Sequence, residues 1–335
     1  MRDNKLDFFK GILTIQMIFA HCLQFFCDLN KEAGWKNVSE WVNLTTFAGF
    51  VFAFGYAYYL AYLQKDFRYA VKKAGKNILS LLGAYYISAF SFVIFIERIA
   101  FRKDRILEIL LLRRLAGWSE FLFSFAMITL VTLVLWKPLT SKNNKVLLGL
   151  GVLALVICVL PHREVKPILG TLIGGRGGSY FPVLPFYVYF VAGVYMARKK
   201  LNFDWKILLA SIAGTAYMIV DALLITKEYP SRFPLSLAWL LGATLIIYIY
   251  YLASGYLCKF KLLSGISMVG KQSLFYLLIS NFIIFALKST IFYKLGGAYS
   301  IGLCIVILLI IRYFYWMLGK RPAVAGSSVT NKPAA

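Results

Sequence analysis

Two basic side chains eleven residues apart, Lys10 and His21, are the residues near the start of the chain whose types and spacing could do chemistry. On an α-helix, eleven steps return to within about 20° of the same face and cover about 16 Å of axis. The stretch between them, Gly-Ile-Leu-Thr-Ile-Gln-Met-Ile-Phe-Ala, is apolar enough to enter a bilayer. One helix face would then carry a cation near the membrane surface and an imidazole deep in the hydrocarbon. Imidazole titrates near neutrality and can take the proton of an attacking nucleophile. An ionisable group at that depth is costly unless it faces a cavity or a partner. The spacing equally fits a lysine that snorkels to the interface and a histidine that bonds a neighbouring helix.

Other charges invite the same double reading. Lys72, Lys73 and Lys76 open a later apolar run, with Lys73 and Lys76 three apart on one helix face and at the same membrane surface as Lys10. Such a cluster suits a polyanionic phosphate ligand, and it suits anionic lipid headgroups or simple helix orientation as well. Asp221 lies well inside an apolar run, where a carboxylate needs a partner; it would line an acceptor path or pair structurally. His162 and the Gly174-Gly175-Arg176-Gly177-Gly178 stretch read as an inert loop histidine and a flexible linker. Glu97 and Arg98 read as a local interface pair.

The elements that must position these groups are membrane helices. With 60% hydrophobic residues in 335 and long runs nearly free of charge, the chain is an all-α polytopic integral membrane protein. The net charge of +23 resides in Lys and Arg of short loops, where it orients helices, so no nucleic-acid partner is implied. Cys22, Cys27, Cys158, Cys258 and Cys304 lie in or beside apolar segments without CxxC spacing, and read as buried hydrophobes rather than as disulfides or metal ligands. About ten spans are expected, near 8–27, 41–63, 77–97, 120–138, 146–161, 181–197, 207–226, 234–257, 272–290 and 297–317. Both termini then share a side, and the basic loops place it in the cytoplasm. Residues 98–114 resist, being rich in Arg yet outside in this topology; their leucine-rich middle suggests an amphipathic helix lying in the interface. Residues 1–320 form one transmembrane domain and 321–335 a polar, disordered tail. Gly55, in an aromatic stretch, would let another backbone approach closely.

Several stretches together resemble a known family. Leu6-Asp7-Phe8-Phe9-Lys10-Gly11-Ile12 through His21 is similar to the first-helix motif of the membrane acyltransferase 3 family, an Asp-x-x-Arg-Gly core followed by a His. Phe52–Leu60, Tyr69–Lys76, Tyr180–Phe186 with Phe190-Val191-Ala192-Gly193, and Gly270-Lys271-Gln272-Ser273-Leu274-Phe275-Tyr276-Leu277 follow in the family's order. The Tyr180 stretch also resembles heparan-glucosaminide acetyltransferase-like membrane proteins. Lys replaces the family's Arg at Lys10, Lys72, Lys73 and Lys76, which keeps charge and loses the planar fork. Where a second His is usual, Ser280 and Asn281 stand.

The resemblance implies transfer of an acyl group, commonly acetyl, from cytoplasmic acyl-CoA to a hydroxyl of a sugar, a cell-surface glycan or a lipid-linked acceptor. His21 would be the general base, and Lys10, Lys72, Lys73 and Lys76 would hold the CoA phosphates. Tyr56, Asp221, Ser280 and Asn281 would serve the substrates. Acyl-CoA is a co-substrate, and no permanently bound cofactor and no metal are expected. A multi-pass place in the cell membrane follows, with the bacterial cytoplasmic membrane as the expectation and membrane lipid as a partner; homo-oligomerisation is left open. A transporter or flippase of a small anionic or glycan substrate is the rival from another class, and a catalytically degenerate relative is a third reading.

Overall fold

The chain is helical throughout the residues described by its structure, a computed structural model covering 3–98, 103–160, 163–176, 178 and 180–319. Among them there is no strand, only an isolated parallel bridge between Glu164 and Arg176. In chain order the helices are α1 (Asn4–Phe26), α2 (Ala33–Tyr58, continued by a π turn to Leu63), α3 (Phe67–Phe92, continued to Glu97), α4 (Lys103–Leu110) and α5 (Glu120–Val134). Next come α6 (Trp136–Thr140), α7 (Asn144–Cys158), α8 (Pro167–Ile173), α9 (Val183–Lys199) and α10 (Trp205–Val220, continued to Ile225). The last third holds α11 (Leu237–Gly242), α12 (Thr244–Leu257), α13 (Ser264–Lys271), α14 (Ser273–Thr290) and α15 (Gly297–Gly319).

Helix α1 is the axis of the bundle. Asp3 caps it, its carboxylate accepting from the backbone N–H of Lys5 at 2.9 Å and of Leu6 at 3.2 Å, which satisfies two donors that no helical carbonyl can reach. Fourteen of its 23 residues are buried, on nearly every side, because α2, α12, α13, α14 and α15 all pack against it. Glycines set the closest approaches. A Cβ on Gly11 would run into the Ile266 carbonyl of α13, and one on Gly270 into the Asp7 carbonyl of α1. Between α2 and α9 the same holds for Gly55 against Phe190 and for Gly193 against Phe52. Where lipid replaces water as the surroundings, association relies on such close backbone packing rather than on hydrophobic burial. The approach anticipated at Gly55 is present, and α9 is its partner.

Seven helical stretches among the described residues are long and apolar enough to cross a membrane: Asn4–Phe26, Ala33–Leu63, Phe67–Glu97, Trp205–Ile225, Leu237–Leu257, Ser273–Thr290 and Gly297–Leu318. The other three expected spans hold shorter helices. The run expected over 120–138 ends at Val134, since Pro138 lacks a donor for the Val134 carbonyl and its ring would crowd it; a short helix, α6, follows. Helices α5 and α7, at 15 residues each, reach about 22 Å against a hydrocarbon core of about 30 Å. Helices α10 and α15 are peripheral and turn rows of apolar residues outward, Leu209 and Leu223 on one, Ile305 and Leu309 on the other.

The awkward basic segment does contain a helix, α4, with Ile109 buried and Leu107 and Leu110 exposed. Glu97 pairs with Arg114 at 2.6 Å rather than with its neighbour Arg98, whose guanidinium instead donates to the Ser289 carbonyl. The glycine-rich linker is tied at Arg176, whose backbone N–H donates to the Arg163 carbonyl at 2.9 Å. His162, Gly177 and the tail from 321 lie outside the described residues.

Candidate functional site

At the end of α1 away from Lys10 the helices part around a cavity of about 220 Å³. Met17, Ala20, His21 and Gln24 of α1 form one wall, and Asn43, Thr46, Phe47 and Phe50 of α2 another. Gly117, Trp118, Glu120 and Phe121, leading into α5, close a third side, and Phe181, Arg232 and Phe233 come from loops. The frame is aromatic: the Phe47 ring lies 4.5 Å from that of Phe181 and 4.7 Å from that of Phe186.

His21 is held from behind. Its Nδ1 lies 2.9 Å from Oδ1 of Asn281 on α14. Asn281 Nδ2 donates to Ser88 Oγ of α3 at 3.2 Å, and Ser119 donates to the same oxygen at 2.8 Å. That amide orientation leaves Oδ1 as the acceptor, so the proton sits on Nδ1 and Nε2 keeps its lone pair. Asn281, Ser88 and Ser119 are buried, and the residual 6% exposure of His21 gives onto the cavity. Trp118 stands edge-to-face with the imidazole at 5.0 Å and packs on Phe25 at 4.7 Å. Its backbone is left-handed at φ 67°, a conformation that a bulky residue adopts only where its surroundings hold it. The cavity thus contains a base of fixed tautomer.

An acidic and a basic residue share that space. Glu120 is the first residue of α5, 8% exposed, and Arg232 lies in the loop between α10 and α11. The Arg232 guanidinium sits 4.9 Å from the Phe181 ring and 4.8 Å from the Phe233 ring. Burial pulls its pKa down to about 10, while Glu40 and Glu120 oppose that fall, so it remains a cation at neutral pH. Neither Glu120 nor Arg232 was singled out from the sequence. A carboxylate opening an apolar run, and an arginine between two prolines in Pro230-Ser231-Arg232-Phe233-Pro234, are the signals that could have found them.

The remaining candidates fall elsewhere. Asn281 reaches His21, not the cavity, and so orients the base rather than touching substrate. Ser280 is fully buried and bonds the Leu277 carbonyl of its own helix at 3.0 Å. Tyr56 lies further along α2, its ring 6.0 Å from Tyr251, and Asp221 is half-exposed where α10 passes into its π turn, neither of them on the cavity wall. Lys10 forms an ion pair with Asp7 at 3.0 Å. Lys72, Lys73 and Lys76 are exposed on α3, with Lys73 5.9 Å over the Tyr69 ring. Ser88 of the histidine network lies twelve residues, about 18 Å, beyond Lys76. All four lysines therefore lie at the opposite end of the bundle from the cavity, on helices separated by α14, which packs on both α1 and α3.

The family described as heparan-alpha-glucosaminide N-acetyltransferase, catalytic, matches residues 2–220. That stretch carries Lys10, His21, the α3 lysines, Trp118 and Glu120, while Arg232 and Asn281 lie beyond it. No curated protein and no solved structure matches the chain. Of the two likenesses read in the motifs, the match supports the one to heparan-glucosaminide acetyltransferases. With well over half of its 335 residues matched and its apolar helices packed around a histidine-bearing cavity, the chain is a multi-pass membrane protein that belongs to the heparan-alpha-glucosaminide N-acetyltransferase catalytic family.

Proposed function

We propose that the protein moves an acetyl group from cytoplasmic acetyl-CoA to a hydroxyl or amino group of a sugar, presented by a cell-surface glycan or a lipid-linked acceptor. The observation that carries this reading is the pairing of His21 Nδ1 with Asn281, which leaves Nε2 as the basic nitrogen of a residue on the cavity wall. The acceptor's O–H or N–H proton passes to Nε2 as its heteroatom attacks the thioester carbonyl. The tetrahedral adduct collapses, the C–S bond breaks, and the departing CoA thiolate recovers the proton from the imidazolium. Asn281 holds the ring in one tautomer throughout by accepting from Nδ1.

The two ends of the bundle divide the substrates. Lys10, Lys72, Lys73 and Lys76 meet the phosphates of CoA as point charges on the cytoplasmic side, with both termini there and ten helices crossing the membrane in all. The pantetheine arm covers the roughly 16 Å from Lys10 to His21. The aromatic walls of the cavity, with Gln24, Asn43 and Glu120, offer a sugar ring apolar faces and polar edges.

Full-length protein in nanodiscs, given radiolabelled acetyl-CoA and glucosamine or a neutral glycoside, tests the reading. Acetyl transfer or acetyl-CoA hydrolysis that depends on His21 is the expected result. Folded protein that does neither would overturn it.

A further inference from the structure

Arg312 stands on the apolar helix α15, seven residues before Gly319, and among the described residues it makes no hydrogen bond and no ion pair. A cation so placed is costly unless it meets water or an anion. The chain supplies little to neutralise it. No Asp or Glu follows Glu228, and on α1 Asp3 caps the helix while Asp7 pairs with Lys10. An arginine that only snorkels runs out along its own helix to water. Arg312 instead reaches across to the start of α13, where its Nη1 stands 3.9 Å from the place that a Cβ on Gly265 would take. The Tyr276 hydroxyl of α14, buried and without a hydrogen-bond partner, is close enough to feel the same charge. Three residues on from Arg312, Tyr315 accepts from the Gln272 amide at 3.0 Å and packs on Phe275 at 5.8 Å. Those contacts hold the α15 face that carries Arg312 against the turn between α13 and α14.

The surroundings say what kind of anion fits. Lys259 and Lys261, just before α13, are exposed and among the described residues unpaired. Leu262 beside them is 94% exposed, and Leu309 and Ile305 point outward on the Arg312 face of α15, deeper in the span. A ligand that satisfies this surface is anionic at one end and apolar along the other, whereas a soluble phosphate ester would leave the apolar track bare. We propose that Arg312, with Tyr276, Lys259 and Lys261, forms a site for the phosphate of an anionic phospholipid whose acyl chains lie along Leu309 and Ile305. The guanidinium fork takes two phosphate oxygens in parallel hydrogen bonds, and the lysines add point charges. Helix α13 is also the one whose Gly270 packs on Asp7 and whose Ile266 meets Gly11, next to Lys10. A lipid bound here therefore braces the end of α1 that carries Lys10. The site stands on these contacts alone and holds whether or not the protein transfers acetyl groups.

The test is native mass spectrometry of the full-length protein in neutral detergent, titrated with phosphatidylglycerol or with phosphatidylcholine of the same chains. Phosphatidylglycerol is expected to bind more tightly by about fivefold or more, the preference that one cation at headgroup level confers. R312Q should lose that preference and R312K keep part of it, while K206Q, at an exposed lysine elsewhere on the surface, should leave it intact. Equal binding of the two lipids, a preference that survives in R312Q, or one that falls as far in K206Q overturns the inference. Should R312Q not fold, the double variant K259Q/K261Q on the exposed turn decides: the preference must weaken there, and an unchanged preference overturns the site. Displacement of phosphatidylglycerol by CoA or by glycerol 3-phosphate would assign the site to a soluble phosphate ester and overturn the lipid assignment.

Discussion

His21 owes its basic edge to Asn281, a residue 260 positions away on α14. Removing the imidazole removes the acceptor for the substrate proton and also leaves the buried Asn281 Oδ1 without its partner. His21→Ala is expected to lower acetyl transfer by about 10²-fold or more, alongside a stability loss of about 1–3 kcal/mol from the unpaired Asn281 oxygen; normal turnover in that variant would exclude it as the base. Asn281→Ala acts differently. It strips partners from both His21 and Ser88 in a fully buried place, so stability should fall by about 1–3 kcal/mol. Turnover should fall about tenfold or more, while KM for acetyl-CoA holds, since Asn281 touches no substrate; a change confined to KM would contradict this. The Lys10/His21 spacing made His21 legible in the sequence, since two ionisable groups on one face of an apolar helix are rare. Asn281 was legible only as polar and intramembrane, because nothing local tells which neighbour a buried amide will face. Glu120 and Arg232 were not legible as a site, since the loops and helix ends that bring them together are distant in sequence.

Helix contacts here turn on glycine, and the sign of a glycine-to-alanine change reports it. In an open helix position such a change gains up to about 1 kcal/mol from propensity alone. Gly83 is such a position, exposed on α3 with nothing within 4 Å of where a Cβ would stand. At Gly193 or Gly270 the new methyl would overlap a carbonyl of the facing helix, and the pair must separate. Gly193→Ala and Gly270→Ala are expected to lower the thermal unfolding temperature of the detergent-solubilised protein, and Gly83→Ala to leave it equal or higher. Equal effects at all three sites would mean that the close approaches do not bear on stability. Most span ends were readable to within a few residues from hydropathy, which follows directly from the cost of polar groups in lipid, although the helices over the second and third spans begin eight and ten residues earlier than expected, at Ala33 and Phe67. Two features were not. The break at Pro138 depends on backbone geometry that a hydropathy window ignores, and the partner of each glycine depends on which helices meet.

At the scale of the whole molecule the two ends are chemically unlike. One end has Lys10 and the α3 lysines at the starts of their helices; the other has the cavity, Glu120 and Arg232 at helix ends and in loops. An acetyltransferase that joins substrates from opposite sides needs this division. A transporter must instead bring one central site to both faces in turn. Impermeant thiol labelling separates the two, in a background where Cys258, the one native cysteine that is not buried, is replaced by Ser. Cysteine at positions 10 and 73 should label from the cytoplasmic side only, and cysteine in place of the exposed Lys166 or Lys227 from the opposite side only. Acetyl-CoA should then protect positions 10 and 73 and leave 227 reactive, because the donor's phosphates never reach the cavity end. A sugar acceptor should slow labelling at the cavity end alone. If acetyl-CoA protected none of these positions while a sugar protected both ends alternately, the donor site would not lie at the lysines, and the transporter reading would replace acetyl transfer.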